Sequence, residues 1–318
     1  MRTRDEYLQI NNSFQKICIY RIGNHAGFFS EINNMIIAMI YCLENSYRFE
    51  IYSTNTMYCN DIWQDFFYPF TQHATNPFHI KNNSREFRKI KLTDFNPQQD
   101  AQILEYLNST FSGQDEIFLT QNVWTFIRNP RIFNPQHRVN KPFISGNTIH
   151  VAYQLVQSIW NYKPHIRKRI DDIKRSVKVE TPYAGFHIRR GDKFREKDFT
   201  PIESYFNKLN QITKRDDYPV FIATDDQRII GEIKDVYPNR RIYHFHLPQN
   251  KGFDMDNFQP LNKQQQADSI IQLLAEVEML VEANIFVGTF TSNVGMFVGM
   301  ARDGREIYGV DTNGWIVW

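Results

Sequence analysis

From residue 184 onward, short apolar runs alternate with amphipathic segments, and few folds are compatible with that order. We predict strands at 184–189, 220–224, 241–245, 285–290 and 306–310. Helices are predicted between them at 201–212, 226–236 and 263–282, with a short helix from Asn293. Such alternation forms a parallel sheet covered by helices on both faces. The sequence therefore predicts the α/β class, with a doubly wound, Rossmann-like sheet in the C-terminal domain.

The preceding sequence is less regular and predicts a separate domain. The segment 163–178 carries Ile166, Ile170, Ile173 and Val177 on one helical face, and we expect its basic outer face to be solvated. A strand at 17–20 and a helix at 28–43 flank a Gly-Asn-His-Ala-Gly loop, and loops packed by aromatic side chains are expected over 55–99. The chain of 318 residues is long enough for two domains. We predict domains at 1–165 and 166–318.

Composition excludes several classes of function. The 37 Lys and Arg residues against 35 Asp and Glu give a net charge of +2, which offers no field for nucleic acid or an anionic membrane. Cys18, Cys42 and Cys59 have no Cys-x-x-Cys spacing, so neither a disulfide framework nor a zinc site is expected. No apolar run is long enough for a membrane span or a signal peptide. We expect a soluble, cytoplasmic protein, or one in the Golgi lumen if this chain is trimmed from a longer one.

Ligands of doubly wound sheets bind where the strands end, which makes the loops 189–200, 224–227 and 289–295 the candidate site. In the first loop, Arg189, Arg190 and Lys193 could neutralise a pyrophosphate leaving group. A solvated basic turn explains these residues equally well. The sequence leaves both interpretations open.

The other two loops also admit more than one interpretation. Asp225 and Asp226 could bind a metal, accept ligand hydroxyls or cap the next helix, and capping is favoured for Asp226. The third loop, from Thr289 to Gly295, is small and rich in hydroxyls. It suits a phosphate at a helix N-terminus, and it equally suits Ser292 as an ordinary N-cap.

Other chemistry is disfavoured. Asp254 and Asp256 form an Asp-x-Asp pair, but no apolar strand precedes them, so we predict no metal there. Gly-x-Gly-x-x-Gly, P-loop, Gly-x-Ser-x-Gly and His-Glu-x-x-His motifs are absent from the sequence. Nicotinamide chemistry, P-loop hydrolysis and serine hydrolysis are therefore disfavoured.

Taken in order, the loops resemble those of a known family. The chain is similar to the α1,6-fucosyltransferases of the core-fucosylating and rhizobial nodulation type, which share a superfamily with protein O-fucosyltransferases. The match is carried by five segments, which are His187-Ile188-Arg189-Arg190 with Asp192-Lys193, Pro201-Ile202-Glu203-x-Tyr205, Ala223-Thr224-Asp225-Asp226, Tyr237-Pro238-Asn239, and Val287-Gly288-Thr289-Phe290-x-Ser292. It extends over roughly residues 160–300, with a fainter similarity in the Gly-Asn-His-Ala-Gly loop.

The resemblance implies a GT-B-like fold of two domains, a GDP-fucose donor, no metal or other cofactor, and inversion at the anomeric carbon. Residues 1–165 would lie on the acceptor side and 166–318 would bind the nucleotide sugar. The implied donor-site residues are His187, Arg189, Arg190, Asp192, Asp225, Asp226, Glu276, Thr289, Ser292, Gly23 and Asn24.

The resemblance also implies a role for most of these residues. Arg189 would neutralise the β-phosphate, and His187 with Glu276 would lie at the guanine. The family has Asp where this chain has Glu276. Thr289 and Ser292 would contact phosphate, and Asp225 with Asp226 would order the site. Gly23 and Asn24 would offer backbone N–H groups from the first domain.

The resemblance also implies a catalytic base, because an inverting transfer must remove the proton of the acceptor hydroxyl. The family places a Glu shortly after the Asp-Lys pair, and Glu196 matches it when one residue is deleted before Phe199. Asp198 is the rival base, since this loop is one residue short. Lys193 would stabilise negative charge on the phosphate or near the base.

The predicted function is transfer of L-fucose from GDP-fucose to a hydroxyl of a glycan or glycoconjugate, for which the linkage of the family is α1,6. One alternative is a related GT-B transferase that uses another nucleotide sugar or a protein hydroxyl. The other is a sugar-nucleotide or glycan-binding module without transfer, which the shortened loop around Glu196 would permit.

Overall fold

The computed structural model describes residues 3–23, 26–83, 87–111, 117–124, 137–191, 199–246 and 255–315. The chain forms two compact units, of which the first ends at Tyr162 and the second begins at Lys163. The domain boundary predicted after residue 165 would fall inside the helix of the segment 163–178. In the structure, that helix belongs wholly to the second unit. None of the described helices is long and apolar enough to cross a membrane.

The first unit is built around a mixed sheet. Its helices are α1 (Arg4–Asn12), α2 (Phe28–Asn45), α3 (Ile62–Phe66), α4 (Phe78–Asn82), α5 (Ala101–Thr110) and α6 (Thr148–Ile159). Its strands are β1 (Lys16–Arg21), β2 (Tyr47–Tyr52), β3 (Arg88–Ile90), β4 (Ile117–Thr120), β5 (Arg138–Lys141) and β6 (Ile144–Asn147). The order β2-β1-β4-β3 has β3 antiparallel to β4, while β5 and β6 pair separately as a hairpin.

Helix α2 is buried on nearly every side, although its sequence is amphipathic. It packs against the strands β1 and β2 and also against α6. Its polar residues therefore also lie in the interior. The buried Asn34 donates to the carbonyl of Ser30 at 2.9 Å and accepts the N–H of Val123 at 2.8 Å. These bonds offset the cost of burying an amide, because buried polar groups are tolerated when hydrogen-bonded.

Residues 55–99 differ from the predicted run of loops. The structure places α3, α4 and β3 there, and aromatic rings pack around α3. The rings of Trp63 and Phe67 lie 4.6 Å apart, and those of Trp63 and Phe70 lie 4.7 Å apart. The prediction of aromatic packing is confirmed, whereas the prediction of loops throughout is wrong, because these elements are too short to show a period.

The second unit contains the predicted parallel sheet. Its strands are β7 (Ala184–Ile188), β8 (Val220–Thr224), β9 (Ile242–Tyr243), β10 (Ile285–Gly288) and β11 (Ile307–Gly309). Its helices are α7 (Pro164–Arg175), α8 (Ile202–Thr213), α9 (Arg228–Val236), α10 (Met255–Phe258), α11 (Lys263–Glu282) and α12 (Asn293–Ala301). All strands are parallel in the order β11-β10-β7-β8-β9, which confirms the α/β class.

The core of the second unit follows the predicted periodicity. Phe186, Ile222 and Val287 project from neighbouring strands into a cluster that also contains Phe206 and Ile233 from the helices. All five side chains are buried. Apolar residues on alternating strand positions and on one helix face therefore hold the sheet and fix where its strands end.

The sequence predicts that the basic face of helix α7 is solvated. In the structure, several cations of that face instead form ion pairs with α11. Arg167 forms a bidentate pair with Glu278 of α11 at 2.5 and 2.6 Å, and Lys174 reaches the same carboxylate at 3.0 Å. Arg169 pairs with Asp268, also on α11, at 2.7 Å. These cations join α7 to α11, a long-range pairing that the sequence of α7 alone does not show.

Candidate functional site

The three loops singled out from the sequence start side by side. Gly288 of β10 is in register with His187 of β7, which is in register with Ala223 of β8. The strands are parallel, so the loops that follow leave the sheet at the same edge. This edge is where ligands bind in doubly wound sheets.

His187 lies at this edge and is buried, with 6% of its surface exposed. Its Nδ1 atom has no hydrogen-bond partner among the described residues. Burial, with a contribution from the neighbouring Arg189 cation, lowers the pKa of His187 to about 3. The imidazole is therefore neutral at physiological pH, and its unpaired nitrogen can form a hydrogen bond with a ligand.

Arg189 is oriented by an ion pair. Its guanidinium contacts the carboxylate of Asp225, which follows β8, and both side chains are largely buried. The same carboxylate accepts the backbone N–H of Arg190 at 2.8 Å. Asp225 therefore joins the start of the first loop to the start of the second, and it fixes a guanidinium whose five N–H donors exceed what one carboxylate can accept.

Arg190 contacts the far end of the first loop. Its guanidinium donates to the carbonyl of Thr200 at 3.1 Å and lies 4.8 Å from the centre of the Phe199 ring. The Arg190 side chain therefore connects the start of this loop to Phe199 and Thr200 at its end. The predicted Asp192, Lys193, Glu196 and Asp198 lie outside the described residues.

Asp226 lies at the start of α9. Its carboxylate accepts the backbone N–H of Arg228 at 3.0 Å and also pairs with the Arg228 guanidinium. Hydrogen bonds from Arg228 lower the pKa of Asp226, so it is ionised at neutral pH. Of the three roles considered for this residue, the geometry favours capping, although Asp226 lies one residue before the N-cap residue, Gln227, and acts by accepting the N–H of the first residue of the helix.

Neither acidic pair belongs to a metal-ligand cluster in the part of the chain that the structure describes. No group of three or more His, Cys, Asp or Glu is placed there to hold an ion. Asp256 lies on the short helix α10, and Asp254 falls outside the described residues. Metal independence stays a prediction.

In the third loop, Ser292 occupies the N-cap position of α12, but its side chain makes no capping hydrogen bond within the described part of the chain. Thr289 and Ser292 are both buried. Gly295 is required by close packing, because a Cβ atom there would lie 2.0 Å from the Thr289 carbonyl oxygen. The loop therefore turns tightly onto the helix and keeps the Ser292 hydroxyl close to the helix N-terminus.

Sequence reasoning missed Asp311, which orders this loop. Its carboxylate accepts the N–H of Phe290 at 2.9 Å and the N–H of Thr291 at 3.0 Å. Asp311 follows β11, the last predicted strand, and so lies at the same edge of the sheet. That position was the available signal, since the edge rule applies to every strand end.

Glu276 lies on α11 and is buried, with 8% of its surface exposed. Burial raises the pKa of Glu276 to about 8, and the nearby Gln272 side chain offsets only part of that shift. The carboxyl is therefore largely protonated at pH 7. A ligand that offers two donors would favour its ionised form.

Gly23 lies in the first unit, and its N–H donates to Oε2 of Glu31 at 2.7 Å. The other carboxylate oxygen of Glu31 accepts the N–H of Ala26 at 3.2 Å. The Gly23 N–H, which the resemblance would offer to a ligand, is thus used within its own unit. Asn24 lies outside the described residues.

Two α/β units, the second with a parallel sheet and a polar carboxyl edge, define the GT-B class of glycosyltransferase folds. The chain is similar to NodZ α-1,6-fucosyltransferase, known from Bradyrhizobium and soaked with GDP-fucose: 12% identity, TM-score 0.51, 90% of this chain and 92% of NodZ covered. It is similar to a mutant of Arabidopsis thaliana FUT1 in complex with GDP: 11% identity, TM-score 0.51, with coverage of 91% and 69%. These likenesses confirm the predicted GT-B fold.

A sequence model of the N- and catalytic domains of α-(1,6)-fucosyltransferases matches residues 137–298, about half of the chain. The protein belongs to this family, which confirms the resemblance drawn from the loops. An α-(1,6)-fucosyltransferase of Caenorhabditis elegans is 24% identical over 151 residues, which cover 44% of this chain. The aligned part spans 25% of that curated relative.

Proposed function

We propose that this protein is an inverting, metal-independent fucosyltransferase that moves L-fucose from GDP-fucose to a glycan hydroxyl, with α1,6 as the linkage. The observation that carries the proposal is the pairing at the edge of the second sheet. A neutral, buried His187, whose Nδ1 has no hydrogen-bond partner in the part of the chain that the structure describes, lies two residues before Arg189, which pairs with Asp225. Family membership and the GT-B fold support the same conclusion.

In this proposal, separate residues bind guanine, neutralise the phosphate and remove the proton of the acceptor. Glu276 accepts the N1–H and the exocyclic amine of guanine, and His187 bonds the nucleotide beside it. Arg189 neutralises the β-phosphate, with Thr289 and Ser292 as hydroxyl donors. These groups stabilise the negative charge that builds on GDP as the bond to the anomeric carbon breaks. A carboxylate, assigned to Glu196, takes the proton of the attacking hydroxyl.

Calorimetric titration with GDP-fucose in the presence of EDTA tests the proposal. We expect binding of GDP-fucose and no binding of UDP-sugars, because only guanine offers Glu276 a pair of donors. Binding that needs added Mn²⁺ or Mg²⁺ would overturn metal independence and direct attention to Asp254 and Asp256. Equal binding of UDP-sugars would overturn the assigned donor.

Donor affinity is expected to depend on pH through Glu276. The pKa of its free carboxyl is about 8, and guanine binding requires the ionised form. Binding therefore releases a proton, and the Kd for GDP-fucose falls as the pH rises from 6.5 to 8, by up to about tenfold per pH unit, then levels off. Calorimetry at several pH values, in buffers of different ionisation enthalpy, measures both the Kd and the released proton.

Glu276→Gln is the control for this effect. Glutamine cannot ionise, so the variant should bind GDP-fucose more weakly and with a nearly flat pH profile. The sugar nucleotide is preferred to GDP as the probe, because GDP has a terminal phosphate that itself titrates near neutral pH. A Kd for the unsubstituted protein that is constant from pH 6.5 to 8.5 would remove Glu276 from the guanine site.

Asp311→Ala should weaken GDP-fucose binding by about tenfold, the equivalent of one or two hydrogen bonds. The substitution releases the N–H groups of Phe290 and Thr291, so the loop that carries Thr289 and Ser292 loses its fixed conformation. Calorimetric titration measures the effect, with Asp216→Ala, an exposed aspartate of the same unit, as the matched control. Equal affinities for the two variants would show that Asp311 does not order the donor site.

A further inference from the structure

The first unit contains a cavity of about 550 Å³ between the β5–β6 hairpin and helix α6. Ligand pockets in proteins fall in the range of about 300–1,000 Å³, so the space suits a small molecule or a segment of a larger one. Phe143 and Ser145 line it from the hairpin, and His150, Tyr153, Gln154 and Gln157 line it from the helix. None of the residues assigned to the donor belongs to this lining.

Helix α6 has two distinct faces. Val151, Leu155 and Ile159 are fully buried and belong to the core of the unit. Tyr153 and Gln157 lie on the other face, one turn apart, and are half-buried and exposed respectively. The core therefore does not require the side chains that line the cavity.

Contacts from behind fix the walls of the cavity. The ring of Phe143, in the hairpin turn, lies 6.1 Å from the ring of Phe14. Gly146 packs directly on His150: a Cβ atom at Gly146 would lie 2.8 Å from Cδ2 of that ring, and its φ of +140° also favours glycine. The hairpin and the helix are therefore in direct contact beside the cavity.

The chemistry of the lining selects one class of ligand. Among the described residues that line the cavity, none is Asp, Glu, Lys or Arg, so phosphates and charged peptides find no counter-charge. Partly exposed aromatic rings pack against the C–H faces of sugar rings, while glutamine amides and a serine hydroxyl bond sugar hydroxyls. A purely aliphatic ligand would cover the exposed Gln157 amide without offering it a hydrogen bond, which disfavours such a ligand.

We propose that this cavity binds a neutral saccharide at a site separate from the donor site of the second unit. That the saccharide is part of the fucose acceptor rests on the proposed function. Binding of the saccharide itself does not, since it depends only on the lining of the first unit.

Saturation-transfer NMR on the whole chain tests the proposal, with N-acetylglucosamine and mannose oligomers as neutral probes and a heparin oligosaccharide as the charged one. We expect saturation transfer from the protein to a neutral oligomer, which reports binding, and no saturation transfer to the heparin oligosaccharide. Tyr153→Ala and Gln157→Ala should each raise the Kd of that oligomer about tenfold. Both variants should bind GDP-fucose as the unsubstituted protein does.

Matched controls are Tyr68→Ala and Gln64→Ala, which remove an exposed tyrosine and an exposed glutamine elsewhere in the same unit. Tyr153→Phe keeps the ring and should retain most of the affinity, which separates loss of stacking from loss of folding. The saccharide site would be overturned if no neutral oligomer showed saturation transfer. It would also be overturned if the saturation transfer were unchanged in Tyr153→Ala and Gln157→Ala. Saccharide binding without GDP-fucose binding would overturn the proposed function alone.

Discussion

Arg189→Ala is expected to weaken GDP-fucose binding by about 100-fold, because charge-assisted, bidentate contacts to phosphate are among the strongest hydrogen bonds in proteins. The ion pair with Asp225 holds the guanidinium at the end of β7. Its removal therefore has two costs: the phosphate loses its cation, and the largely buried Asp225 carboxylate loses this ion pair and leaves its negative charge close to the phosphate.

Two further substitutions separate these costs. Arg189→Lys keeps the charge and loses the planar fork, so it should bind with intermediate affinity. Arg215→Ala removes an exposed arginine whose partner, Asp217, is also exposed, and it should leave donor binding unchanged. Calorimetric titration with GDP-fucose measures all three variants, after thermal unfolding has shown that each is folded. Unchanged affinity in Arg189→Ala would end its assignment to the phosphate.

The second sheet could be predicted from sequence because its pattern is local. The strand at 220–224 and the helix at 263–282 have the bounds that periodicity predicts. Most strands and helices there are long enough for the spacing of their apolar residues to show their type, whereas the four-residue helix α10 is too short and was not predicted. The loops of the site follow directly, since the carboxyl ends of parallel strands meet at one edge.

Contacts between distant segments could not be predicted in this way. The carboxylate of Asp311 accepts hydrogen bonds from backbone N–H groups about 20 residues earlier in the chain. Every residue except proline has a backbone N–H, so no sequence motif marks these donors. The ion pairs that join α7 to α11 depend on which helices become neighbours. The raised pKa of Glu276 depends on burial, which no single residue type reveals. Sequence reasoning thus found the candidate residues, while the structure was needed to show what holds them.

Glu196→Gln is expected to lower kcat by about 10²- to 10⁴-fold, the usual contribution of a general base, while the Kd of GDP-fucose holds. Glu196 lies outside the described ranges, and its assignment rests on the resemblance to the family and on the contacts at the ends of its loop. Arg190 donates to Thr200, and its own N–H donates to Asp225, so both ends of the loop are attached at the donor edge.

Asp198→Asn is the matched variant, because it removes the rival carboxylate two residues away. Turnover is measured as release of GDP, with the oligosaccharide on which the unsubstituted protein releases GDP fastest. If Glu196 is the base, its variant alone loses the acidic limb of the pH–rate profile, since that limb reports the ionisation of the base. Loss confined to Asp198→Asn would move the role to Asp198. Loss in neither would contradict carboxylate catalysis from this loop, and absence of turnover in the unsubstituted protein with bound GDP-fucose would favour the binding module over the transferase.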